Sequence, residues 1–199
     1  MLPVFDPGSK TTARSQPRAA LISDAAATHL ATAFNVRGFV DSLLGGGLAQ
    51  DAVRAVAAAL PRRYALAWAC ECFQEVKNTP AGLGDEDRAG LALAERWLRS
   101  PTEEHRRVAA SFAANGEYAS PGCWLAAAAA WSEGSIGPAD LASPIPPPPS
   151  LCGEALAAAL ILLATLEPET RVARLDGFAR HALALFGSGG AKPEPAVRA

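Results

Sequence analysis

The sequence lacks an excess of either charge and has no clustered basic surface. It contains 18 Lys and Arg residues against 20 Asp and Glu residues, for a formal net charge of −2. The basic pairs Arg62-Arg63 and Arg106-Arg107 stand alone on predicted helices. Proteins that bind nucleic acid usually concentrate basic residues on one face or along one helix. The composition therefore argues against a nucleic-acid partner.

Long hydrophobic runs and a secretion signal are also missing. The most apolar stretch, residues 155–166, spans 12 residues, whereas a membrane-spanning helix needs about 20. The N-terminal residues include Pro3 and Pro7 and do not form the charged region and apolar region of a signal peptide. We therefore expect no membrane association and a cytoplasmic location, and we predict that residues 155–166 form a core helix.

No motif typical of catalysis or metal binding is present. Ser135 lies in a Gly-Ser-Ile-Gly turn rather than in the Gly-x-Ser-x-Gly sequence of hydrolases. Cys70 and Cys72 lie about 200° apart around one predicted helix, so they cannot share a metal ion. We predict no catalytic residue, no metal and no cofactor. The alternative is a cysteine-dependent enzyme, with Cys123 near a helix start as the reactive cysteine. A histidine from a separate helix would have to lie beside it, and the candidates are His29, His105 and His181.

Alanine and aromatic residues in helical patterns dominate instead. Hydrophobic residues make up 50% of the chain, alanine is the strongest helix former, and no run alternates like a β-strand. The pattern predicts an all-α fold, a compact bundle of about seven or eight helices. We predict a disordered N-terminal tail over residues 1–20, a single helical domain over 21–186 and a disordered C-terminal tail over 187–199. The predicted helices are 25–44, 48–60, 62–77, 85–99, 101–115, 122–131, 150–166 and 168–186.

Serine residues mark three of the predicted helix starts. Ser100 and Ser120 each precede a proline, which fits the first helical position, and Glu103 would complete a capping box with Ser100. Ser150 would cap the helix that follows the proline run.

A proline-rich segment connects two alanine-rich helices. We call residues 131–150 the strap; its run Pro146–Pro149 must adopt the polyproline II conformation. The strap is predicted to be a stiff crossover, and the alternative is a polyproline ligand for an aromatic groove. It is also our predicted surface for a protein partner, through Trp131, Ser132, Gly134, Ser135, Pro146, Pro147 and Pro148.

A set of aromatic residues has two interpretations. At helical spacing, aromatic side chains usually belong to the core. They could instead line an apolar pocket for a small molecule. The residues concerned are Tyr64, Trp68, Trp97 and Trp124.

Three sequence blocks stand out in order along the chain: Trp68-Ala69-Cys70, the run from Arg99 to Arg106, and Trp131-Ser132-x-Gly134-Ser135 followed by the prolines. Together they resemble a family of uncharacterised all-helical bacterial proteins whose genes often lie in type VI secretion clusters. The family has W-A-C, D-P-T-E-E-N-R and W-S-G-G-S followed by P-P-P-P in the same order. This chain departs from that pattern at three positions, Ser100, His105 and Glu133, and the resemblance covers residues 60–166.

The resemblance implies a function in protein assembly rather than catalysis. It suggests a non-enzymatic accessory protein of type VI secretion, an adaptor or chaperone for effector loading. The expected partner is a secretion spike protein, an adaptor or an effector, and the oligomeric state stays open. The alternatives are a small-molecule-binding helical domain with the aromatic pocket, and the cysteine-dependent enzyme.

Overall fold

The computed structural model describes residues 22–30, 35–79, 82–138 and 143–185, and within them the fold is all-α. Both predicted tails, 1–20 and 187–199, lie outside the described residues. A short 3₁₀ helix, Pro168–Thr170, precedes the last α-helix. The α-helices are α1 Asp24–Leu30, α2 Val36–Gly45, α3 Ala49–Ala59, α4 Arg62–Lys77, α5 Asp85–Arg99, α6 Glu103–Asn115, α7 Pro121–Ala130, α8 Leu151–Thr165 and α9 Arg171–Leu185.

The predicted single helix over residues 25–44 is wrong, because a new helix begins after Asn35. Asn35 has extended backbone angles, φ −154° and ψ 169°, and its side-chain oxygen accepts a hydrogen bond from the Gly38 N–H. Asparagine side chains satisfy the free N–H groups at a helix start better than they suit a helix interior. The local cap therefore separates α1 from α2 and adds one helix to the predicted number.

The start of α6 also differs from the predicted capping box. Thr102 caps this helix by accepting a hydrogen bond from the His105 N–H at 3.2 Å, while Ser100 follows the last residue of α5. Ser100 and Pro101 therefore lie in the connection between α5 and α6, before the capping residue Thr102. At α7 the prediction is confirmed, since the Ser120 hydroxyl accepts from the Cys123 N–H at 3.2 Å and Pro121 opens the helix. Ser150 precedes α8 as predicted, but its hydroxyl makes no capping bond.

Helix α7 forms the most buried element of one half of the bundle. Nine of its 10 residues are buried, and it packs against α5, α6 and α8. Alanine side chains allow these helices to approach closely. The closest approach is between Gly90 of α5 and Gly122 of α7, where a methyl group added at Gly90 would lie 2.6 Å from the Gly122 Cα. Asp87 stabilises this crossing by accepting a hydrogen bond from the Gly122 N–H at 2.8 Å.

The other half of the bundle is built from α2, α3 and α9, and α8 contacts both halves. Helices that are distant in the chain pack together, such as α3 with α9 and α4 with α8. A solenoid of repeats would make contacts mainly between chain neighbours, so the arrangement is a bundle. Trp68 of α4 helps to join the helices, because its Nε1–H donates to the Phe178 carbonyl of α9 at 2.9 Å.

None of the described helices taken singly is both long and apolar enough to cross a bilayer. The pair Leu151–Thr165 and Pro168–Ala184 reaches that length and apolarity only when taken together, with a bend of 117° between its parts. Eight of the 15 residues of α8 are buried against other helices, as predicted for the core helix at residues 155–166.

The glycine crossing generates a stability prediction. Gly90→Ala should lower the free energy of unfolding by about 3 kcal/mol, because the new methyl group meets Gly122 backbone that cannot move away without shifting α7. Urea denaturation of the full chain would measure it.

The matched control is Gly177→Ala in α9, where an added methyl group meets nothing within 4 Å. Alanine should raise the free energy of unfolding there by roughly 0.5–1 kcal/mol, because it restricts the unfolded chain and favours helix. Equal effects of the two substitutions would contradict the close crossing.

Candidate partner-binding surface

The two described arms of the strap, residues 131–138 and 143–150, are held together by hydrogen bonds. The Ile136 N–H donates to the Ile145 carbonyl at 2.8 Å. The Ser135 hydroxyl oxygen accepts from the Ile145 N–H at 2.9 Å and from the Gly137 N–H at 3.1 Å. One side chain therefore closes the loop that leads from α7 toward α8.

A buried arginine supports the first arm of the strap. The Arg106 side chain is 4% exposed, and its Nε and Nη2 donate to the Glu103 carboxylate at 2.6 and 2.7 Å. Its Nη1 donates to the Ala130 carbonyl at 3.0 Å. The start of α6 is thereby bound to the end of α7. The hydrogen bond from Arg106 is the main reason why the pKa of Glu103 lies below its ordinary value of 4.5.

Gly134 lies directly over this ion pair. Its φ of +76° is a backbone conformation that other residues rarely adopt, and a methyl group added to it would lie 2.7 Å from Arg106 Nε. Nearby, Arg62 donates to the Ser132 carbonyl at 2.9 Å, and the Ser132 hydroxyl donates to the Ala129 carbonyl at 2.7 Å. The chain that leaves α7 is therefore held by hydrogen bonds at Ala129, Ala130 and Ser132.

Three aromatic rings pack where the strap leaves α7. The ring of Tyr118 lies 5.5 Å from that of Trp124 and 5.8 Å from that of Trp131, and the two tryptophan rings are 6.4 Å apart. Tyr118 reaches them from a strained turn, since Glu117 and Tyr118 have φ values of 51° and 55°. Aromatic packing offsets part of this backbone strain. The sequence interpretation overlooked Tyr118, although its position after an Asn-Gly turn was a usable signal.

Two isoleucine side chains are exposed on the closed strap. Ile136 and Ile145 lie opposite each other across the loop and are 44% and 46% exposed. An open depression of about 610 Å³ lies between the strap and α6. Its lining consists of Glu103, Arg107, Gly134, Ser135, Pro138, Pro144 and Pro146.

A second depression, of about 560 Å³, shares Arg107 with the first. It is mainly apolar and is formed by α6 together with one residue of α5. Its lining consists of Leu93, Glu104, Arg107, Val108, Ser111, Phe112 and Asn115.

The seven residues predicted to contact a partner divide into three groups. Ser132 and Pro147 are buried, so they can support the surface but cannot form it. Trp131 and Ser135 are half-buried and hold the loop by packing and hydrogen bonding. The outward-facing members are Gly134, Pro146 and Pro148.

The sequence interpretation missed Ile136 and Ile145, the exposed isoleucines of the two described strap arms. The sequence did hold a sign of their exposure. Both isoleucines lie in a segment rich in glycine, serine and proline, and such a segment is unsuited to a helix. It also missed the ion pair of Arg106 with Glu103, because a charge pair at a helix start has the same pattern whether it is buried or solvated.

The four residues considered for an aromatic pocket lie in different environments. Trp68 and Trp97 are core residues with 0% and 2% exposure, while Tyr64 is half-buried. Trp124 packs instead with Tyr118. Neither depression described above is lined by any of the four.

All four cysteines are buried, free thiols. Burial raises the pKa of Cys70 and Cys72, and it raises that of Cys152 from 9.0 to about 12, so these three are held in the unreactive protonated form. Cys123 is fully buried beneath Gly116. Across the residues the structure describes, no group of three or more His, Cys, Asp or Glu side chains is arranged to hold a metal ion.

The chain belongs to DUF6931, a family of unknown function, whose model matches residues 39–186. This match covers α3 to α9 and the whole strap. No curated protein and no solved structure matches the chain significantly. The expectation of an uncharacterised helical family is thereby confirmed.

The clasp formed by Ser135 generates a local prediction. Ser135→Ala should make amide hydrogen exchange at Ile145 about tenfold faster, because its N–H loses its only acceptor among the described residues. The melting temperature should change little, since the helices do not depend on this bond. Ser111→Ala, an exposed serine of α6, should change neither quantity. Unchanged exchange at Ile145 in Ser135→Ala would contradict the clasp.

The ion pair at α6 generates a pH prediction. Because the folded pKa of Glu103 is lowered, its stabilising effect is complete above pH 4.5 and is lost as the pH falls through the folded pKa. Glu103→Gln should therefore be less stable than the natural protein at pH 7, and the two should converge as the pH falls below the folded pKa of Glu103. The difference at pH 7 should be on the order of 1 kcal/mol, since the carboxylate is partly screened by solvent.

Urea denaturation of both proteins between pH 7 and pH 3 would measure this convergence. Burial raises the pKa of Asp87, which favours the fold at low pH, but this effect is common to both proteins and cancels in the difference. A difference that stays constant over the whole pH range would contradict the assignment.

Proposed function

We propose that this chain is a non-enzymatic accessory protein of type VI secretion that acts in the cytoplasm as an adaptor or chaperone in effector loading. One observation carries the proposal: two of the three sequence blocks that resemble the secretion-associated family meet at the base of the strap. The block from Arg99 to Arg106 supplies Glu103 and Arg106, and the block beginning at Trp131 supplies Gly134, which lies over them.

The polar groups at this meeting point are occupied by one another. Arg106 donates to Glu103 and Ala130, and the Ser135 hydroxyl accepts two backbone N–H groups. A catalytic site keeps reactive groups directed at a substrate, whereas here the polar groups hold a loop. The exposed side chains of the two described arms include isoleucine and proline, which suit protein binding.

The fixed geometry of the strap is suited to binding a protein. A loop that is already ordered loses little conformational freedom on binding, so more of the contact energy appears as affinity. Exposed apolar side chains grouped on one surface are typical of interaction sites. Ile136 and Ile145 form such a group.

Substitution of the strap isoleucines tests the proposal. Tagged full-length protein, purified from host cells that express the secretion cluster, should retain a spike protein, adaptor or effector of that cluster, identified by mass spectrometry. Ile136→Asp with Ile145→Asp should reduce the recovery of this partner at least tenfold, because a charge at the interface opposes burial. The melting temperature should be unchanged, since both side chains are exposed.

The matched control is Val172→Asp on α9, which introduces the same charge at a residue that is 62% exposed. Its recovery of the partner should equal that of the natural protein. The proposal is overturned if no protein of the secretion cluster is retained, and the strap is excluded as its surface if the isoleucine variant retains as much partner as the control.

A further inference from the structure

The second arm of the strap has almost no freedom to leave an extended conformation. Proline fixes its own φ near −65° and forces the preceding residue into extended or polyproline II angles. Five residues, 143 and 145–148, directly precede a proline, and Pro144 and Pro146–Pro149 are themselves prolines. The structure describes residues 144–148 as neither helix nor turn, and Pro149 then enters the turn before α8, where the Leu151 N–H donates to the Pro148 carbonyl.

A polyproline II helix has three residues per turn, so residues three apart share one edge. Pro144 and Pro147 form the first edge, and Pro147 is buried against the protein. The other two edges face solvent. They consist of Ile145 with Pro148, and of Pro146 with Pro149, all four exposed.

This distribution of buried and exposed residues matches the pattern of a proline-rich ligand. Two exposed pairs, Ile145-Pro146 and Pro148-Pro149, are separated by the buried Pro147. Proline-rich ligands bind aromatic-lined grooves through two such edges, with one proline at each end of a P-x-x-P sequence. Pro146 and Pro149 have that spacing.

The backbone of the run offers acceptors to a partner. Within the described part of the chain, the carbonyl groups of Pro144, Pro146 and Pro147 accept no hydrogen bond. Proline has no N–H, and the Ile145 N–H is already bound to Ser135. The segment therefore cannot add a strand to a sheet by mutual hydrogen bonds, but it can accept bonds from the indole N–H or phenol O–H groups of an aromatic groove.

Space for an aromatic side chain exists beside the run. The depression of about 610 Å³ is lined by Pro144 and Pro146 on one side and by Arg107 on another. The Arg107 side chain is 36% exposed. A planar guanidinium next to proline rings provides two surfaces on which an aromatic ring can stack.

We infer that the strap is a preformed polyproline II ligand, which a partner protein recognises with an aromatic-lined groove through Ile145-Pro146 and Pro148-Pro149. Pro147 anchors the run to the bundle, and the Ser135 clasp keeps its register. This inference deepens the proposed function by stating the chemistry of the partner, and it rests on the strap being the surface proposed there. The run is ordered before binding, so the partner does not have to order it.

Two purified aromatic-groove domains, a polyproline-binding WW domain and an SH3 domain, serve as probes for the full-length protein. Isothermal titration should show binding by at least one of them. Pro146→Ala with Pro148→Ala should weaken that binding at least tenfold, because each exposed pair loses one proline. Pro168→Ala, at an exposed proline of the 3₁₀ helix that lines neither depression, should change it less than twofold.

Hydrogen exchange at Ile145 is measured in each variant to confirm that the Ser135 clasp stays closed. Binding that is absent in the natural protein, or equal in the natural protein and the double variant with the clasp closed, overturns the inference. The same variants are then used in the purification from host cells. A secretion partner retained equally by the double variant refutes the groove while leaving the proposed function in place. Binding of a probe with no secretion partner recovered refutes the proposed function while leaving the groove.

Discussion

The guanidinium group of Arg106 joins three parts of the molecule on which the strap depends. It binds the carboxylate of Glu103 at the start of α6 and the carbonyl of Ala130 at the end of α7, and its Nε side lies under Gly134. A planar group with several donors in fixed directions can connect three such elements, whereas a lysine cannot. Arg106 therefore fixes the first step of the chain after α7, and the bonds made by Arg62, Ser132 and Ser135 fix the steps that follow.

This connection requires the end of α7 to be in a fixed place, and the alanine-rich core ensures that. Gly90 and Gly122 allow α5 and α7 to touch through their backbones, and Asp87 accepts a hydrogen bond from the first turn of α7. A larger residue at either glycine would displace α7 and with it the carbonyl of Ala130. A change in the small residues of the core would therefore also shift the exposed surface of the strap.

Local signals in the sequence predicted much of the fold, and long-range contacts explain what they missed. The bounds of α4 and α5 and the cap at Ser120 follow from residues close together in the chain, and all agree with the structure. The caps at Asn35 and Thr102 were not predicted, because the residues around each of them fit a continuous helix equally well. The exposure of Ile136 and Ile145 depends on the clasp by Ser135 across ten residues, which no local pattern reports.

The buried charge of Arg106 is better explained by the position of the strap than by stability. Removing the Arg106 guanidinium from water costs free energy that its attraction to the half-exposed Glu103 carboxylate only partly offsets, and apolar residues of similar volume are often as stable. Apolar side chains would fill the space under Gly134, but they would not bind the Ala130 carbonyl or direct the chain over α6. A hydrophobic replacement of the pair can therefore preserve the bundle while releasing the strap, so stability and binding geometry depend on different properties of the same residues.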